Sequence, residues 1–132
     1  MADRQAITDL FGPAIYSYTR AQALEDGVLV DAGPMAQEAG FRYPVALTQA
    51  VWERYIVPDE RARRLGQSES GRLWDTLWMA KLAARATQGQ AIFFRLYFIM
   101  KARQRRLVTL KALCGLGDQG EPVITIMLPE ED

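Results

Sequence analysis

Residues 91–100 read AIFFRLYFIM, and the period of this stretch decides the fold. Ile92, Phe94, Leu96, Phe98 and Met100 fall on one side of an extended chain, while Phe93, Arg95, Tyr97 and Lys101 fall mostly on the other. A period of two is that of a strand with one buried face. Working outward, Ala102–Arg106 reads as a basic turn. Leu107–Cys114 is then a second strand, with Val108, Leu110, Ala112 and Cys114 on one face and Thr109 and Lys111 opposite. Gly115–Pro122 is a glycine-rich turn, and Val123–Leu128 a third strand. Connections this short join antiparallel neighbours, so the last third of the chain is expected to form a three-stranded meander. Burying five large apolar side chains of one strand is worth about 10 kcal/mol before conformational entropy is subtracted.

An apolar sheet face needs a cover, and the longest helical pattern supplies it. Ser68 or Ser70 caps a helix reaching to about Thr87. Leu73, Leu77, Ala80 and Ala84 form one stripe at three- and four-residue spacing, with Leu82 adding to the apolar side. Trp74, Trp78 and Lys81 form a neighbouring stripe, and at this spacing the tryptophans are expected in or beside the core. The class is therefore α+β, a small, mainly antiparallel sheet covered by helices, in a single domain over residues 1–132.

Upstream, residues 3–11 suit one or two helical turns stopped by Gly12-Pro13, and Ala14–Tyr18 is β-prone. Thr19 reads as the N-cap of a helix ended by Asp26-Gly27. Val28–Val30 is a brief strand, Met35–Ala39 a short helix, and Pro44 opens a helix running to about Tyr55. Asp59–Gly66 reads as a charged surface turn or loose helix, and its Arg61, Arg63 and Arg64 as a solvated run beside Asp59 and Glu60. The acidic Glu130-Glu131-Asp132 end is expected to be mobile.

Composition narrows the chemistry. There are 132 residues, 49% of them apolar, and the 16 basic and 16 acidic side chains cancel, so global steering towards nucleic acid or an anionic membrane is not indicated. Histidine is absent, which removes the usual general base and the commonest metal ligand. Cys114 is the only cysteine, which suits a reducing, cytoplasmic setting; it reads as a small buried filler. No run approaches the ~18 uncharged apolar residues of a membrane span, and the N-terminus does not resemble a signal peptide.

Three segments carry a resemblance. They are residues 9–20 (DLFGPAIYSYTR), residues 23–31 (ALEDGVLVD), and the pair VTLKA (108–112) and PVITIMLP (122–129). They resemble a bacterial family known only as a domain of unknown function, whose short members are met on plasmids, phages and other mobile elements. The resemblance spans nearly the whole chain. It brings no catalytic residue and no cofactor, and it suggests roles such as inhibiting a host defence system.

Among local motifs, the basic tip is the best binding candidate. Lys101, Arg103, Arg105 and Arg106 cluster there, with Arg95, Tyr97 and Lys111 on the adjoining sheet face. Such a surface can meet an acidic protein patch or, with aromatics between cations, stack on unpaired bases. Glu25, Asp26 and Asp31 could form a cation site or an acid–base pair, or serve a histidine-free enzyme together with Arg20 or Arg54. The plainer reading is a solvated helix end and a turn organised by Asp31. Gly115-Leu116-Gly117-Asp118-Gln119-Gly120 precedes another strand and no helix, so it reads as a hairpin loop without phosphate-binding geometry. The expectation is a non-catalytic, cytoplasmic binding protein of a mobile element. It docks on a host protein or nucleoprotein complex without cofactor, metal or membrane; nucleic-acid binding is the alternative, and a histidine-free enzyme a third reading.

Overall fold

The computed structural model describes residues 18–86, 89–100 and 104–132. The expected helical turns over residues 3–11 and the extended stretch up to residue 17 lie outside the described residues, as do Lys101 and Arg103. The element order is α1 (Arg20–Asp26), β1 (Leu29–Asp31), α2 (Pro34–Glu38), β2 (Val45–Thr48) and α3 (Gln49–Val51), which continues as a π-helical turn over Trp52–Ile56. Then come α4 (Glu60–Arg64), α5 (Glu69–Ala86), β3 (Ala91–Ile99), β4 (Arg105–Leu116) and β5 (Pro122–Met127).

The meander is present: β3 pairs antiparallel with β4, and β4 with β5. It is part of a larger sheet, ordered β1-β2-β5-β4-β3, in which β2 runs parallel to β5. The chain is thus α+β with a five-stranded, mostly antiparallel sheet.

Val45–Thr48 corrects the expected helix from Pro44. Its first three residues are buried and none carries a polar side chain, as suits a strand covered on both faces and parallel to its neighbour. The Ile124 amide donates to the Pro44 carbonyl, 2.9 Å, and the Ala32 amide to that of Val45, 2.9 Å. The helix begins at Gln49, where the Thr48 hydroxyl accepts from the Val51 amide.

The core gathers Leu47, Val51, Ile56, Leu77, Leu110 and Ile126, each essentially inaccessible to water. Helix α5 covers β3 with Leu73, Leu77 and Ala80, and the Ser68 hydroxyl caps it by accepting from the Gly71 amide. The Leu73, Leu77 and Ala80 stripe is the expected one, but its neighbour is not buried. Trp74 and Trp78 are 36% and 43% exposed, and Leu82 is exposed too. Arg72 and Thr76 take the buried side instead. The Arg72 guanidinium donates to the Tyr55 carbonyl at 2.9 Å and to the Ile99 carbonyl at 2.5 Å, and the Thr76 hydroxyl donates to the Arg72 carbonyl. Successive helical residues are 100° apart, so turning Arg72 inwards to these carbonyls turns the tryptophans out.

Candidate functional site

The register of β3 on β4 builds the site. Phe93 sits opposite Lys111, Arg95 opposite Thr109, Tyr97 opposite Leu107 and Ile99 opposite Arg105. These residues share one sheet face, while Phe94, Leu96, Phe98, Val108, Leu110 and Ala112 fill the other, beneath α5. Over β1, β2 and β5 the first face is covered by α1. Arg20 reaches the Thr125 hydroxyl at 2.8 Å and the Ile124 carbonyl at 3.0 Å, and Ala46, beside Thr125, is buried. Among the described residues the β3–β4 half has no such cover. Phe93 is 58% exposed, Tyr97 56% and Leu107 45%. Tyr97 and Leu107, directly opposite each other, form an exposed apolar pair, and Phe93 lies beyond Arg95 on the same face.

Charge on this face is one-sided. Neither β3 nor β4 contains an Asp or Glu, although the whole chain is neutral. The Arg105 guanidinium carbon lies 4.9 Å from the Tyr97 ring centroid, a cation–π contact worth about 0.5–1 kcal/mol at an exposed site. Arg95, exposed on the same face, lies between Phe93 and Tyr97 along β3.

The structure thus brings Arg95, Tyr97 and Arg105 together and adds Phe93 and Leu107. Arg106 goes elsewhere. It is paired with Phe98, on the helix-covered side, and lines a recess with Arg54, Tyr55 and Glu130. Lys111 is on the open face but half-buried, its ammonium donating to the Glu131 carbonyl. The tail is held in place: the Glu131 carboxylate accepts from the Thr48 hydroxyl at 2.8 Å and from the Leu128 amide at 2.7 Å, contrary to the mobile end expected. Lys101 and Arg103 lie outside the described residues. The same alternation that set Thr109 and Lys111 outward also sets Leu107 there, and the register places it opposite Tyr97.

The other candidates have structural duties. Glu25 and Asp26 are exposed at the end of α1, and the Tyr18 hydroxyl donates to Asp26. That hydrogen bond, with a small desolvation and the Asp26 charge, pushes the phenol up to about 12. Asp31 accepts from the Gly33 amide at 2.8 Å and so forms the expected turn. Arg20 is lowered by burial, an effect opposed by the charges of Asp118, Asp31 and Glu121. Gly115 and Leu116 extend β4, and the hairpin follows, with Gly120 in the left-handed region at φ 81°. Within the hairpin, Asp118 accepts from the Arg20 and Ala21 amides and so caps α1. Cys114 is exposed, beyond the helical cover of its face, which corrects its expected burial.

An open groove of about 510 Å³ lies between α1 and the tail and is lined by Tyr18, Leu29, Thr48, Met127 and Glu131. Among the described residues no group of three or more His, Cys, Asp or Glu side chains is placed to hold a metal ion, and no helix is long and apolar enough to cross a membrane. No curated protein and no solved structure matches the chain. A family profile does, over residues 8–132, and the chain belongs to that family, DUF6573, a family of unknown function.

Proposed function

We propose that the protein acts by docking on an acidic surface of another protein through the open β3–β4 face. The observation that carries this is the exposure of the Tyr97–Leu107 pair, with Arg95 and Arg105 on either side of it and Phe93 beyond Arg95 on the same face. Tyrosine and arginine are prominent among the residues that dominate interface binding energy when a partner excludes water from them, and phenylalanine is enriched at interfaces. The cations, with no carboxylate on either strand, favour a negatively charged partner and speed the encounter. Protein is favoured over unpaired bases because Arg105 already stands on the Tyr97 ring and Lys111 is tied to the tail, which leaves few free stacking and phosphate contacts.

The partner to test first is a cytoplasmic host defence complex, the protein acting as its inhibitor on a mobile element. The segment resemblance supports that choice. The test is co-purification from a native host extract at physiological salt, comparing the wild type with an Arg95→Glu/Tyr97→Ser variant. A stoichiometric protein partner retained by the wild type and lost by the variant supports the reading. Elution of the wild type alone contradicts it, as does retardation of single-stranded oligonucleotides that fades with salt and accounts for all binding.

A further inference from the structure

Helix α5 carries a second exposed surface, on the opposite side of the sheet from the β3–β4 face. Trp74, Trp78 and Leu82 recur every four residues along its outer side, 36%, 43% and 41% exposed. The two indoles stack, with centroids 5.9 Å apart and planes 16° from parallel, so they present one continuous apolar ridge. Gly71, one turn before Trp74, leaves a notch at the start of the ridge. The inner side of the helix is used by Arg72, Leu73, Thr76, Leu77 and Ala80, so among the described residues no packing within the chain explains the ridge.

We infer that this ridge is the contact between two copies of the chain, paired by a two-fold axis near Trp78 with their α5 helices antiparallel. The charges argue for a second copy. Antiparallel pairing opposes the helix dipoles, and a two-fold contact must be self-complementary: the ridge carries an indole near its start and the exposed Arg85 near its end. At 100° per residue, Trp74, Lys81 and Arg85 lie on the same flank of the ridge. A two-fold pairing sets that flank against its own copy in reversed order, so Trp74 of one chain meets the Lys81–Arg85 end of the other. Lys81 is already engaged over the Phe41 ring, at 5.5 Å, which leaves the exposed Arg85 as the cation for the facing indole. A chain of zero net charge adds no global repulsion between copies. The resulting dimer would carry two β3–β4 faces pointing away from its axis and bind a repeated or symmetric partner with avidity.

Sedimentation equilibrium of the full chain tests this. Between about 1 µM and about 500 µM the weight-average mass is expected to climb from 14.9 kDa towards twice that value. Trp78→Ser is expected to raise the dissociation constant at least about tenfold. Arg85→Glu and Trp74→Ser are expected to weaken the dimer less than additively when combined, because the two groups meet across the interface. These side chains are exposed, so far-ultraviolet circular dichroism should show each variant folded. Tyr97→Ser, on the opposite face, is expected to leave the mass curve unchanged, which separates this inference from the docking function. A mass of 14.9 kDa at every concentration, or a dimer indifferent to Trp78→Ser, overturns it.

Discussion

The guanidinium of Arg72, at the start of α5, donates to the carbonyl of Ile99 at the end of β3 and so ties the covering helix to the strand beneath it. A second bond reaches the Tyr55 carbonyl, and the guanidinium carbon lies 5.8 Å from the Phe98 ring, itself stacked on Tyr55 at 5.4 Å. Burial lowers the Arg72 pKa, the Asp59 charge opposes that, and the group stays charged. Replacing it with Met removes the donors and leaves two carbonyls unsatisfied. The expected loss is about 3 kcal/mol, read as a fall of about 10 °C in Tm. A variant within about 0.5 kcal/mol of wild type would mean that the tie contributes nothing.

Asp118 joins the β4–β5 hairpin to the first turn of α1, at 2.8 Å and 3.0 Å from the Arg20 and Ala21 amides. Asp118→Ala is expected to cost about 1 kcal/mol, with faster hydrogen exchange at those two amides and little change in the meander. Uniformly faster exchange throughout the sheet would contradict so local a role.

The Tyr18 phenol has a predictable titration. Asp26 accepts a hydrogen bond from the phenol and favours its neutral form, which raises the pKa from 10.0 to about 12. A raised pKa means the folded chain holds this proton more tightly than the unfolded one. The stabilisation is therefore complete below pH 10.0 and is lost as the pH rises towards about 12. Asp26→Asn is expected to bring Tyr18 back towards its ordinary value, as followed by NMR of ring-labelled tyrosine. An unchanged titration in Asp26→Asn would show that the pair does not exist in solution.

The meander was legible because one strand carries five apolar residues at a period of two, a pattern with no helical equivalent. Strand β2 was not. Val45-Ala46-Leu47 is a short apolar run, its burial on both faces erases any alternation, and its parallel partner β5 lies far along the chain. The tryptophans misled because the helix offers two adjacent stripes, and the choice between them is made by the carbonyls that receive Arg72, which no sequence pattern marks. In the candidate site, alternation along β3 correctly set Arg95 and Tyr97 together. Arg105 and Arg106 look equivalent in sequence, but one step along a strand changes face, and only the register showed that Arg105 joins Tyr97 while Arg106 does not.

The central claim is that the β3–β4 face recognises a protein partner. Its most direct measurement is the calorimetric affinity of the co-purified partner for wild type, Tyr97→Ser, Leu107→Ser and Trp78→Ser, with the chain dilute enough to limit self-association. Both face variants are expected to bind at least about tenfold more weakly, roughly 1.4 kcal/mol each, while Trp78→Ser binds as wild type does. Wild-type affinity in Tyr97→Ser and Leu107→Ser would contradict the account.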